Sequence, residues 1–541
     1  MLNLAAIHEA IAETVPEREC LVFRDRRLSW AEVTDRTRRL ADVLRQHGLG
    51  CQRERRELRN WESGQDHIGL YLYNGNEYLE GMLGAYKARL APFNVNYRYV
   101  DEELEYLFDN ADAKAVIYHA SFAPRLARIR EKLPKIHLWL QVDDGSGEPL
   151  MPGALDYEQA LAGARPAEPT GLAPDDLYIL YTGGTTGMPK GVLWRQEDIL
   201  HAAMYPGEVG SLEQIVERVK KKTRAVRALP TPPFMHGASH WAVFNMWHVG
   251  GTIVVQSDPQ RLDPADIWST VEREKVNVLN MVGDAFARPL VDELRRRRYE
   301  LSSLRRISTG GAILSASLKQ DFLELIPQIQ ILDVLGSSES GVQASKISSG
   351  KSRATTGDFA MNPDNVVLKA DLSGLVEPGS GEQGWLARCG RVPLGYYGDA
   401  EKTARTFPVV DGVRYVVPGD RTALEADGSL RLLGRDSVTI STGGEKVFAE
   451  EVEQALKHHP GVHDAVVVGM PHERWGQQVT AIVALRAGER PSKEALHAAA
   501  SEHIAAYKLP KAFVFVEKIL RSPSGKVDYR WAKATAAEKL E

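Results

Sequence analysis

Between Leu177 and Val334 the chain repeats one pattern: a short apolar run, a polar break, then a segment with helical spacing. Apolar runs stand at 177–181, 251–256, 276–282, 305–308 and 330–334. Runs this short, with little polar alternation, are buried on both faces, and the helices between them supply the cover. The pattern predicts parallel sheets layered by helices, an α/β fold. The same rhythm opens the chain, with strands expected at 21–23, 67–73 and 115–118. A helix opened by Ser29, three residues before Glu32, has the spacing of a capping box. Beyond about residue 365 the segments shorten and Gly and Asp recur, which predicts antiparallel strands in a small barrel or curved sheet. The stretch 437–530 reads as a small α+β domain, with helices at 449–458 and 492–505 and strands at 464–469, 479–485 and 512–516. At 541 residues the chain has room for three to four such units, at ~150 residues each.

Charge and cysteine usage narrow the function classes. Sixty-seven Lys and Arg stand against 72 Asp and Glu, a balance that argues against a dedicated nucleic-acid binder. Cys20, Cys51 and Cys389 are isolated from one another, which suits a reducing compartment. The N-terminal stretch lacks the basic region of a signal peptide, and no uncharged apolar run reaches spanning length. A cytoplasmic protein without a transmembrane segment is expected.

Five runs carry the chemistry. The first, Tyr181-Thr182-Gly183-Gly184-Thr185-Thr186-Gly187-Met188-Pro189-Lys190-Gly191, follows a strand. Its glycines let backbone N–H groups converge on an anion, Thr185 and Thr186 add hydroxyls, and Lys190 adds a cation. Met188 and Pro189 separate Gly187 from Lys190, and Gly191 stands where a Walker loop needs Ser or Thr, so this is a phosphate binder of another design. The second run, Leu335-Gly336-Ser337-Ser338-Glu339-Ser340-Gly341, sits at the carboxyl end of an apolar strand, where open α/β sheets bind ligands. Glu339 offers Mg²⁺ a hard oxygen. The third, Ser308-Thr309-Gly310-Gly311-Ala312, ends another strand. The fourth is Pro418-Gly419-Asp420-Arg421, followed 15 residues after Asp420 by Arg435. Asp420 can accept hydrogen bonds from both hydroxyls of a ribose. The fifth, Arg521-Ser522-Pro523-Ser524-Gly525-Lys526-Val527, is an exposed turn able to deliver one long cation.

In this order, and over roughly residues 20–530, these runs resemble the adenylate-forming (ANL) enzymes: acyl- and aryl-CoA ligases, luciferases and nonribosomal peptide adenylation domains. The continuation Val192-Leu193-Trp194-Arg195 resembles actinobacterial fatty-acid and steroid side-chain CoA ligases. The resemblance implies an N-terminal domain, 1–435, of two doubly wound α/β subdomains plus a small β-barrel, and a mobile α+β domain, 436–541. It assigns catalysis to Lys526, Thr185, Thr186, Lys190, Glu339 and His236, with Glu339 and Thr186 at the metal. Thr182, Gly183, Gly184 and Gly187 would cradle phosphate. Gly310, Gly311, Ala312, Leu335, Gly336, Ser337 and Ser338 would surround the adenylate, and Asp420 and Arg435 the ribose. Gly443 and Gly444 would line a pantetheine passage. Three positions depart from the family pattern: Leu335 stands where an aromatic ring usually flanks adenine, Ser338 replaces Thr, and Ser437 occupies the hinge.

The implied reaction is ATP-dependent activation of a hydrophobic carboxylic acid through an acyl-adenylate to its CoA thioester, with Mg²⁺, ATP and CoA required. His236, within Pro232–His240, is expected either to gate the carboxylate or to serve as a structural histidine. The segment Trp241–Trp247 is expected as core or as acyl-pocket wall. Partners are small molecules and no nucleic acid, with weak peripheral membrane contact and a homodimer left open. Two alternatives stand beside the ligase: an acyl-AMP ligase loading a carrier protein, and a non-catalytic acyl or nucleotide sensor.

Overall fold

The computed structural model describes the chain except residues 1, 183–187, 206, 351–354, 356–357, 436–437, 443–444, 473–475, 505, 523–524 and 541. The largest sheet has 13 strands. Its parallel part runs Glu19–Phe23, Thr252–Val255, Arg227–Pro230, Val278–Met281, Arg306–Gly310 and Gln330–Ser337 in spatial order. Helices such as Pro264–Arg273, Gly283–Arg296 and Ala316–Leu325 bury one apolar face against it, with Trp268, Leu290 and Phe322 fully enclosed. At Gln330–Ser337 the sheet changes character. Its next neighbour, Gly341–Ser348, is antiparallel, and the antiparallel strands Asp358–Met361, Leu430–Arg435, Asp420–Leu424, Gln383–Arg388 and Asn365–Leu368 continue from it.

A second sheet of five parallel strands is built from Ala91–Asn94, His67–Tyr71, Ala113–His119, Leu138–Val142 and Leu155–Asp156. Strand His67–Tyr71 is buried along its whole length, as expected for a sheet covered on both faces. The helix opened by Ser29 spans Trp30–Gln46, and the Ser29–Glu32 capping box is formed. The apolar run at 177–181 departs from the parallel rhythm. Strand Leu177–Thr182 pairs antiparallel with Lys190–Arg195, so the glycine run connects a hairpin instead of feeding a helix.

The C-terminal part is a smaller α+β unit. A five-stranded sheet, with the long hairpin Val462–His472/Gly476–Leu485 at its centre, packs against helices Ala449–Lys457, Lys493–Ser501 and Tyr529–Leu540. The last helix was not foreseen from sequence. No described helix is long and apolar enough to cross a membrane.

Candidate active site

The carboxyl ends of the parallel strands Val278–Met281, Arg306–Gly310 and Gln330–Ser337 open on one cavity of about 870 Å³. Ligands collect at strand carboxyl ends because the loops there diverge and leave backbone groups free to point inward. Thr182, His236, Gly310, Gly311, Gly336, Ser337, Ser338 and Lys526 all wall this cavity. Runs separated by up to 344 positions, from Thr182 to Lys526, therefore meet at one place.

Close packing explains why glycine is required at the second run. A Cβ on Gly336 would lie 2.2 Å from the carbonyl oxygen of Gly341, across the hairpin. The turn bearing Lys526 seats with similar economy. Gly525 takes φ +74°, and a Cβ there would already be 3.2 Å from the Val282 carbonyl. The turn of the C-terminal unit thus lies close against the residue that precedes helix Gly283–Arg296.

Asn94 holds the entrance strand in register. Its Nδ2 donates to the carbonyls of Tyr181 (2.8 Å) and Met235 (2.7 Å), and its Oδ1 accepts from the Tyr181 amide (2.8 Å). It also faces the cavity, and nothing local in the sequence marks a single buried Asn. His236, half-buried just before helix Gly237–Trp247, has its Nε2 shut from solvent and without a hydrogen-bond partner among the described residues. Burial, aided by the nearby Lys526 charge, pushes its pKa down to about 3, so the imidazole is neutral.

Lys190 and Glu339 belong to an adjoining charged cluster. Lys190 Nζ lies 2.9 Å from Asp399 Oδ2, a pairing that raises the lysine's pKa. Tyr396 donates its hydroxyl to Glu339 Oε1 at 3.0 Å, and Lys402 Nζ stands 4.2 Å from the Tyr396 ring centroid. Tyr396 arrives on the two-residue strand Gly395–Tyr396, paired to Lys190–Arg195. The Trp194 indole donates to the Ser338 carbonyl at 2.8 Å, which fixes the same turn from behind. Sequence reasoning missed Tyr396, Asp399 and Lys402, since a two-residue strand carries no periodicity.

Asp420 begins its strand directly opposite Arg435, so their 15-residue spacing is a cross-strand pairing. Asp420 is buried but is not among the cavity walls. Leu335 also stays off the walls: it packs against the cluster that holds Ala344, Phe359 and Leu386, while its neighbours Val334 and Gly336 face the cavity. Ala312 packs against the cluster beneath helix Gly283–Arg296. Along helix Gly237–Trp247 the two expectations divide. Trp241, Ala242, Asn245 and Met246 line the cavity, whereas Val243, Phe244 and Trp247 are core. Gly183, Gly184, Thr185, Thr186, Gly187, Ser437, Gly443 and Gly444 lie outside the described residues, and Arg435 is described by its backbone alone.

The chain matches the family model of the AMP-binding enzymes over residues 8–386 and that of the AMP-binding enzyme C-terminal domain over 451–526. It is 50% identical to the medium-chain acyl-CoA ligase Mig of Mycobacterium avium, covering 99% of this chain and 98% of that one. It is 39% identical to the 3-oxocholest-4-en-26-oate–CoA ligase of Rhodococcus rhodochrous, covering 98% and 95%. In fold it is similar to the anthranilate CoA ligase AuaEII in complex with anthranoyl-AMP, with a TM-score of 0.83, 22% identity and 100% and 98% of the two chains covered. ATP-bound MatB from Rhodopseudomonas palustris gives 0.80 at 23% identity, covering 99% and 100%.

Proposed function

Because the chain belongs to the AMP-binding enzyme family and is an ATP-dependent acid–thiol ligase, making CoA thioesters through an acyl-adenylate, we propose that its acid is hydrophobic: a fatty acid or a steroid side-chain acid. The observation that carries this is the continuity of the cavity. The space walled by Lys526, Gly310 and Ser337 is also walled by Tyr205, Trp241, Met246 and Val278. Its volume of about 870 Å³ lies high in the ~300–1,000 Å³ range of small-molecule sites, room for a nucleotide and an extended apolar chain together. The names of two relatives agree with this: one is a medium-chain acyl-CoA ligase, the other acts on a sterol-derived acid.

The acid's carboxylate attacks the α-phosphorus of ATP and pyrophosphate leaves. Positioning and charge compensation do most of the work in such a transfer. Lys526 supplies positive charge beside the reacting groups, and Lys190, steadied by Asp399, supplies it toward the phosphates. Neutral His236 offers a ring nitrogen to the carboxylate without competing for its charge. Thr185 and Thr186 would add hydroxyls at the phosphates, Asp420 and Arg435 would hold the ribose, and adenine would rest on the Gly310–Gly311 and Gly336–Ser338 backbones. With Leu335 turned away, backbone surface replaces the missing ring.

Glu339 fits Mg²⁺. It is one hard carboxylate oriented by Tyr396, and no group of three or more His, Cys, Asp or Glu among the described residues could hold a cation alone. That is the donor set of a cation carried in by nucleotide phosphates. When bound, Mg²⁺ neutralises phosphate charge. In the second half-reaction the CoA sulfur attacks the acyl carbonyl and AMP departs. Gly443 and Gly444 would line the thiol's passage after the C-terminal unit turns about Ser437 and withdraws Lys526.

We take the unit boundary to be 435/436, within the interval between the two family-model matches, which end at 386 and begin at 451. The large unit is read as two doubly wound subdomains around the parallel sheets, with a barrel formed by the antiparallel strands after 341. Three free cysteines agree with a cytoplasmic setting. Competition among fatty, steroid side-chain, aromatic and amino acids for ATP, Mg²⁺ and CoA, read by mass spectrometry of the thioesters, tests the substrate class. Preference for an aromatic or amino acid would overturn it.

A further inference from the structure

A chain of buried and half-buried charges links the large unit to the backbone of Lys526. Asp284 is the second residue of helix Gly283–Arg296, two positions after the cavity-wall residue Val282. Its Oδ1 accepts from the Ser315 amide at 2.7 Å, which ties it to the loop after Gly311. Among the described residues its Oδ2 has no hydrogen-bond partner, and it faces Lys457 Nζ at 3.7 Å. Lys457 ends helix Ala449–Lys457 of the C-terminal unit, and its Nζ also lies 3.2 Å from Asp464 Oδ1. Asp464 accepts two 2.9 Å hydrogen bonds from Arg521, through Nε and Nη2. Arg521 Nη1 then donates to the carbonyl of Gly525, the residue before Lys526, at 3.1 Å. Within the turn, the Ser522 amide donates to the Lys526 carbonyl at 2.7 Å, and the Lys526 amide donates to Ser522 Oγ at 3.2 Å.

We propose that Asp284 and Lys457 are positioning residues that set Lys526 in the cavity for adenylation, a role that rests on the reading of Lys526 given above. The physical case has two parts. The lysine and aspartate side chains at the crossing are only 9% and 8% exposed, so neither charge can turn to water if its partner is lost. The two inner links, Lys457–Asp464 and Asp464–Arg521–Gly525, lie within the C-terminal unit and move with Lys526. The Asp284–Lys457 contact crosses between units, so it alone of these links reports and holds the docked arrangement. Arg288 follows one turn along Asp284's helix, and Glu453, buried behind Asp464, accepts from the Val467 amide at 2.9 Å. Neither reaches the Lys526 turn by a described contact.

The test separates the half-reactions in Asp284→Asn, Lys457→Met and Lys457→Arg, with Lys526→Ala in parallel. Asparagine keeps an acceptor for the Ser315 amide while removing the charge, and Lys457 keeps Asp464 at 3.2 Å, so the fold should be retained, which the melting temperature checks. Acid-dependent ATP–pyrophosphate exchange should fall about ten- to hundredfold in kcat for Asp284→Asn and Lys457→Met, the scale of an ångström-level misplacement. KM for ATP and acid should hold, and Lys457→Arg should recover most of the loss. Thioester formation from supplied acyl-adenylate and CoA should keep the wild-type rate. Unchanged exchange in Asp284→Asn, or an equal fall in both half-reactions, overturns the positioning role. If Lys526→Ala itself leaves exchange intact, the assignment of Lys526 falls first. If Lys526→Ala abolishes exchange while Asp284→Asn does not, only the positioning role fails.

Discussion

Replacing Gly336 by Ala tests whether the placement of the Ser337–Glu339 turn controls adenylation. The residue sits at a register shift in the hairpin between Gln330–Ser337 and Gly341–Ser348, and it walls the cavity. The added methyl would stand 2.2 Å from the Gly341 carbonyl oxygen and 3.1 Å from its carbon. Real Cβ contacts stop at 3.0 Å and ordinary contact begins at 3.4 Å, so the hairpin must open by 0.8 to 1.2 Å. The atoms in the way are backbone, and no side-chain rotation relieves them. Opening the tip strains the Trp194–Ser338 and Tyr396–Glu339 hydrogen bonds, at 2.8 and 3.0 Å, which hold it from either side. Overpacking of this kind costs about 1–3 kcal/mol of stability. An ångström of displacement at a reacting centre costs on the order of 10²-fold in rate. ATP–pyrophosphate exchange at saturating substrates should therefore drop about a hundredfold, with a modest fall in melting temperature. Gly163→Ala, at a helix end where a Cβ meets nothing within 4 Å, is the control and should leave exchange unchanged. Wild-type exchange in Gly336→Ala would refute the claim that this turn is placed for catalysis.

Three further outcomes follow from the same contacts. Lys319→Met should cost about 3–5 kcal/mol in urea unfolding, because it strands Asp333, whose carboxylate lies 2.6 Å from the buried Lys319 ammonium; Lys319→Met/Asp333→Leu should recover much of that. Tyr396→Phe removes the hydrogen bond to Glu339, about 1.5–3 kcal/mol for a charged acceptor, and should slow exchange about ten- to a hundredfold at limiting Mg²⁺; an unchanged Mg²⁺ requirement would contradict the role of Glu339. His240 and His248 are both buried, and burial pushes each pKa down to about 4. The unfolded chain binds those protons near pH 6.5, so their stabilising effect is complete above that pH and shrinks as pH falls toward 4. At pH 5 each should have lost about 2 kcal/mol, visible as acid-weakened unfolding midpoints that His240→Gln partly restores.

What the sequence makes legible is local chemistry. The Ser29–Glu32 spacing dictates a capping box because the helix N-terminus leaves donors that only those two side chains can meet, and the box is there. The glycine run's lack of a Walker spacing agrees with the antiparallel hairpin that carries it. The Asp420–Arg435 spacing proved to be a direct cross-strand pairing. Long-range partners were invisible for a physical reason. Tyr396 reaches Glu339 across 57 positions and Asp399 reaches Lys190 across 209, joined by a strand too short to show a period. The same limit applies at Leu335. The sequence shows an apolar residue there, but only the alternation of the strand decides that it packs against the cluster holding Phe359 and Leu386 and not on the cavity.

The central claim is that this cavity joins a carboxylate to AMP before the thiol arrives, with Lys526 in place. The most direct measurement is a single turnover with acid labelled by ¹⁸O in both carboxylate oxygens, followed by mass spectrometry of the products. The account predicts one ¹⁸O in the AMP released when CoA is added, unlabelled pyrophosphate, and loss of the labelled AMP in Lys526→Ala. Unlabelled AMP, or ADP in its place, would contradict it.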